Sequence, residues 1–130
     1  MVDTRFGRIG LLICADTFQA PVVEELAAQA PDLVLVPYGW AAPEEKWPEH
    51  GKSLQDWVVH TARTVGAPVV GTDSTGRIHA GPWQGFVLGG QSPVADARGE
   101  TVCILGDRRP EVRVVEVELG AKQSDEGAGR

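Results

Sequence analysis

A thiol becomes a useful nucleophile when the chain presents it at an exposed turn, beside backbone N–H groups that can hold a developing negative charge. Cys14 has that setting in the sequence. It closes the apolar run Arg8–Cys14 (RIGLLIC), and Ala15 and Asp16 follow before a helical pattern begins. A continuous apolar run of this kind reads as a strand buried on both faces. Reactive groups in α/β sheets gather at the C-terminal ends of such strands. The competing reading of Cys14 is a small core hydrophobe, the usual role of a free cysteine. Asp16 suits an Asx turn that fixes the bend. Cys103, mid-strand between Val102 and Ile104, reads as core. His50, His60 and His79 lie ten and nineteen residues apart, so no pair has helix-face ligand spacing and no metal site is expected. Gly81, Gly85, Gly89 and Gly90 do not form a phosphate-binding G-x-G-x-x-G between a strand and a helix. No cofactor is expected.

The elements that must position Cys14 follow from periodicity. Val22, Val23, Leu26, Ala27 and Ala30 recur at helical spacing, predicting an amphipathic helix over 21–30 that Pro31 and Asp32 stop. Leu33 to Val36 reads as a second buried strand, closed by Pro37. Residues 41–51 carry two prolines and several charges and read as a loop. Ser53 with Asp56 resembles a capping box. Leu54, Trp57, Val58, Thr61, Ala62 and Val65 form the stripe of the helix that follows, ended by Gly66. Residues 67–71 (APVVG) form a third strand and 73–85 a long loop. Residues 86–96, 97–100 and 101–105 read as strand, turn and strand. Val112 to Leu119 alternates as a half-buried strand near an edge. Residues 120–130 read as a disordered tail after a single domain over 1–119. Two βαβ crossovers imply a mixed α/β sheet with helices on one face. The other face has no helices left to cover it, a hint of sheet-to-sheet packing against something else.

Several pieces together resemble the nitrilase superfamily of carbon–nitrogen hydrolases. Gly7-Arg8-Ile9-Gly10-Leu11-Leu12-Ile13-Cys14-Ala15-Asp16 is similar to its nucleophile motif. Pro21 and Glu25-Leu26 resemble the start of the following helix. Asp32 to Pro37, with Trp40, resembles the next strand and its loop tryptophan. Ala62-Arg63 and Gly89-Gly90-Gln91-Ser92, with Asp96 and Gly99, resemble later helix and hairpin motifs. The pieces occur in family order from Gly7 to Thr101.

The resemblance implies half of a four-layer α-β-β-α sandwich, its C-terminal half. It implies cleavage of a non-peptide C–N bond in a small amide or nitrile, through a Cys nucleophile and a thioester. Cys14 matches the nucleophile and the Ala15 N–H the oxyanion donor. Asp16 matches the acidic position of the turn, and Tyr38 and Trp40 fall where pocket-lining residues lie. The Glu base and the Lys of the family precede the Cys motif. Neither Glu24 and Glu25 nor Lys46 and Lys52 match those positions, and all four read as surface. A missing N-terminal half or a partner sheet is therefore expected to supply them, and the chain alone is expected to be poorly active or inactive. The family commonly forms oligomers, so a homo-oligomer is expected.

Composition fits these expectations. The chain has 130 residues, 42% hydrophobic and 23% charged, with a net charge of −6. That balance reads as globular and argues against nucleic acid or an anionic membrane, since phosphate binding needs clustered Lys and Arg. Only Arg108 and Arg109 sit together. Two cysteines make a poor disulfide framework, so a cytoplasmic setting is expected. Two other readings compete with the hydrolase: a non-catalytic module that assembles with a partner, and a redox-sensing thiol built on Cys14.

Overall fold

The computed structural model describes residues 1–119. The chain forms β1 (Val2–Thr4), β2 (Gly7–Leu11), α1 (Ala20–Ala28), β3 (Leu33–Tyr38), β4 (Ala41–Ala42), α2 (Gly51–Val65), β5 (Val69–Asp73), β6 (Thr75–Arg77), β7 (Val87–Gly89), β8 (Pro93–Ala95) and β9 (Thr101–Ile104). Six strands make one sheet in the order β1-β2-β3-β5-β8-β9, and β4-β7-β6 make a small second sheet. β2, β3 and β5 are parallel, whereas β1, β8 and β9 pair antiparallel. This is the mixed α/β sheet that the β-α-β-α-β order requires.

Both helices lie on one face. Leu26 of α1 and Leu54, Val58 and Ala62 of α2 share a core with Val34, Val36, Tyr38 and Val69. Alternation along β2 and β3 sends the other side chains outward. Gly10 sits under Leu26, close enough that a Cβ would lie 3.0 Å from its Cδ1. Leu11 is 52% exposed, and Ile9, Leu33 and Leu35 are half-buried. β2 is thus buried on one face only, against the expectation from its unbroken apolar run.

Local chemistry explains where the element boundaries depart from expectation. Pro37 continues β3 instead of closing it. Val34 sends its N–H towards β5, donating to Pro68 O at 2.9 Å, while Leu35 O accepts from Leu12 on the opposite side. Position 37 therefore faces the side where β2 has already ended, and the missing proline N–H costs no ladder bond. Helix α2 begins at Gly51, before Ser53. The Ser53 hydroxyl donates back to His50 O at 2.7 Å, and Asp56 pairs with Lys52 at i,i+4 instead of closing a box. Gly66 ends the helix in the left-handed region with φ 67, as expected.

Residues 86–96 do not form one strand. Gly90 and Gln91 both have positive φ, of 63° and 52°, and the kink moves the chain from the small sheet (β7) to the large one (β8). The loop expected over 73–85 includes β6, which pairs with β7. The 112–119 segment is not a strand. Val112 and Val114 are 98% and 93% exposed. Val115 and Val117 instead line a cavity of about 390 Å³ over Val70 and Val94 on the outer face of the sheet. Among the described residues this segment pairs with no strand, so its alternation has no ladder to complete. The tail expected over 120–130 lies outside the described residues.

Leu54 is fully buried between helix and sheet. Leu54→Ala is expected to lower the stability to chemical denaturation by about 2–5 kcal/mol, through lost burial and a residual cavity. The Val112→Ala change at an exposed site is expected to stay within about 0.5 kcal/mol. Equal losses from both would contradict this placement of the core.

Candidate active site

Strand β2 ends at Leu11, and Cys14 opens a 3-10 turn over Cys14–Phe18. The cysteine has φ 42, in the left-handed region. A non-glycine residue is strained there and stays only when its surroundings hold it. Two ties do so. Before Cys14, the Ile13 N–H donates to Asp16 Oδ2 at 2.8 Å while the Asp16 N–H donates to Ile13 O at 2.9 Å. After it, the Thr17 hydroxyl donates to Cys14 O at 2.8 Å. Asp16 is thus bonded twice to Ile13, and Cys14 is partly exposed on a sharp strand-to-helix elbow.

Tyr38 and Trp40 take different places around this elbow. Tyr38, expected to line a pocket, is only 4% exposed. Its hydroxyl donates to Thr17 Oγ1 at 3.1 Å, under the elbow. Burial pushes its pKa up to about 12, with the nearby Cys14 adding to the rise, so the phenol keeps its proton. Trp40 is half-buried and joins an aromatic cluster. It packs edge-on against Phe18 at 5.6 Å and stacks on His50 at 5.5 Å. Phe18 in turn meets Trp57 at 4.6 Å. Burial lowers the His50 pKa, and Lys46 adds to the effect. Ala15 is exposed, and among the described residues its N–H donates to no other group. Glu24, Glu25, Lys46 and Lys52 are all exposed, as their sequence context indicated. Among the described residues no group of His, Cys, Asp and Glu could hold a metal, and no helix is long and apolar enough to cross a membrane.

Two residues escaped the sequence reading. Thr17 is buried and bridges Cys14 to Tyr38. No pattern marks it, because a Thr one position after the turn acid reads as surface. Asp73 lies opposite Tyr38 in the parallel register. Its Oδ1 accepts the Trp40 N–H at 2.8 Å, and its Oδ2 is buried with no partner among the described residues. Burial raises its pKa to about 7, against backbone N–H groups of Trp40, Ser74, Gly89 and Gly90 that pull it down. The one available signal was a charged residue at the end of an apolar strand, and such a residue usually marks only the end.

A sequence profile described as carbon-nitrogen hydrolase matches residues 1–125, and the chain belongs to that family. Solved structures agree on the fold. A carbon-nitrogen hydrolase from Helicobacter pylori superposes with TM-score 0.67 at 23% identity, over 84% of this chain and 40% of that one. A CN-hydrolase superfamily protein from Xanthomonas campestris, with an arsenic adduct in its active site, gives 0.64 at 17% identity, over 85% and 40%. An amidase variant from Nesterenkonia sp., with the acetamide moiety of fluoroacetamide added covalently to its active-site cysteine, gives 0.56 at 28% identity, over 75% and 33%. The chain thus spans less than half the length of these structures. No curated protein matches it.

Asp73 fixes a pH dependence. Its folded pKa of about 7 lies above its unfolded value of 3.8, so the folded state binds the extra proton between those limits. The stability it contributes is full below pH 4 and lost as pH rises through 7. The Asp73→Asn variant is expected to flatten the fall in denaturation midpoint between pH 4 and 7. An unchanged pH slope would show that the carboxylate titrates normally.

Proposed function

We propose that Cys14 is the nucleophile of an amidase-type carbon–nitrogen hydrolase acting on a small amide or nitrile. The observation that carries this reading is the left-handed backbone of Cys14 on an elbow tied from both sides. Strain of that kind is held at functional sites, and the elbow leaves the next N–H open. The Nesterenkonia amidase, whose active-site cysteine takes an acetamide group, supports the chemistry at 28% identity.

In this mechanism the Cys14 thiolate attacks the carbonyl carbon, and the new oxyanion turns towards the Ala15 N–H. The C–N bond breaks, the amine leaves with a proton, and a thioester remains on sulfur. Water then releases the acid and returns the thiol. The base that moves the protons and a cation on the oxyanion are assigned to a Glu and a Lys outside residues 1–130. The uncovered sheet face, with Leu11 52% exposed and Ile13 67% exposed, is the surface on which the part bearing them would seat. That part is an N-terminal half or a partner sheet. The same face supports the second reading, a module whose role is assembly; its partner binding would survive Cys14→Ser.

Fluoroacetamide tests the nucleophile. Mass spectrometry of the treated chain is expected to place an acetamide group on Cys14, not Cys103, and Cys14→Ser is expected to remove it. Equal labelling of both cysteines would sink the assignment. Without base and cation the chain is expected to hydrolyse simple amides and nitriles at no measurable rate, since even one missing oxyanion donor costs about 10²–10³ in rate. Turnover by the purified chain that Cys14→Ala abolishes would overturn the placement of Glu and Lys elsewhere. The open apolar face is also expected to drive self-association, and a monodisperse monomer in sedimentation would contradict that.

A further inference from the structure

The Cys14 carbonyl and the Ala15 N–H belong to one peptide unit. That unit is planar and trans, so its oxygen and its hydrogen point in opposite directions. Whatever holds the oxygen therefore aims the hydrogen. Thr17 Oγ1 holds the Cys14 oxygen at 2.8 Å, and Tyr38 Oη holds Thr17 Oγ1 at 3.1 Å. The two side chains are 2% and 4% exposed, so water does not compete for their hydrogen bonds. Tyr38 belongs to β3, the strand beside β2, and its ring lies in the main core with Val58 and Val69. The chain of hydrogen bonds thus runs from the packed core to the one peptide plane at the elbow. The raised Tyr38 pKa keeps its hydroxyl a donor throughout the useful pH range.

We propose that Thr17 and Tyr38 are positioning residues that aim the Ala15 N–H at the oxyanion, by holding the Cys14 carbonyl from behind. This rests on Cys14 being the nucleophile. They touch neither substrate nor sulfur. Their effect falls only on reactions in which charge develops on an oxygen beside Cys14.

Two reagents separate that effect from general damage. With p-nitrophenyl acetate the thiolate adds to the carbonyl carbon through a tetrahedral oxyanion. The ester C–O bond breaks, nitrophenolate leaves and a thioester forms. With iodoacetamide the thiolate displaces iodide from carbon and no oxyanion forms. Both rates are measured on the full chain by mass spectrometry of the Cys14 peptide, with Cys14→Ala as the blank. Thr17→Val and Tyr38→Phe are expected to slow acylation by about 10- to 100-fold, below the loss of a whole donor, and to change alkylation less than about 3-fold. The Thr17→Ser variant keeps the hydroxyl and is expected to restore acylation. If Tyr38→Phe does not fold, the Thr17→Val and Thr17→Ser pair decides alone. Parallel losses in both reactions, or no loss in acylation, overturn the proposal and leave the nucleophile assignment standing. A wild-type chain that is alkylated at Cys14 but never acylated overturns both.

Discussion

The Asp73 carboxylate takes the Trp40 N–H at 2.8 Å, while the Asp73 N–H donates to the Ser92 hydroxyl at 2.9 Å. Around these two bonds the backbone passes between the two sheets three times: out from β3 to β4 and from β5 to β6, and back from β7 to β8. Gly90 N–H donates to Ser74 O at the same level. A buried carboxylate with one unpartnered oxygen is an unfavourable group, and it resists ionisation accordingly. Its hydrogen bond from the Trp40 N–H fixes the loop that leaves β3 to the end of β5. Tyr38 stands beside it in the register and Trp40 hangs from it. The aromatic cluster and the floor of the elbow both take their positions from this joint.

The elbow itself is a contest between strain and tethering. β2 delivers the chain to Leu11, and within three residues the backbone turns through a left-handed cysteine into a 3-10 turn. Left-handed backbone costs a non-glycine residue on the order of 1–3 kcal/mol. The Asp16 and Thr17 bonds offset that cost locally, and Tyr38 ties it to the core. The helices cover only one face of the sheet, and the other face leaves Leu11 and Ile13 exposed.

Legibility in the sequence followed physical range. The helices and parallel strands were readable because their signals are local and repeated: a stripe at Leu54, Val58, Thr61 and Val65, and an apolar run before Cys14. The break at Gly90-Gln91 was not, because a run such as Phe86 to Asp96 keeps its strand pattern on either side of a two-residue kink. Pro37 misled for a related reason. Whether a proline ends a strand depends on which neighbour its missing N–H would have met, and that is set by how far β2 extends. Val112 to Leu119 carried a strand pattern but pairs with no strand among the described residues. At the candidate site, Cys14 was marked by its place at a strand end, and it and Asp16 by the resemblance of Gly7–Asp16 to a known motif. Thr17 and Asp73 were not, since each matters through a partner more than twenty positions away or through burial that only the fold creates.

Gly71 sits in the middle of β5 with ordinary strand neighbours, yet a Cβ there would lie 2.8 Å from Val58 and 3.3 Å from the Tyr38 ring. Its bare backbone works as a spacer shim. It sets how deeply the Val58 side of α2 and the Tyr38 ring settle onto the sheet, and so how far the phenol reaches towards Thr17. The seating of the phenol beneath the elbow thus leans on a residue with no side chain, where even one methyl group would press on both Val58 and the Tyr38 ring.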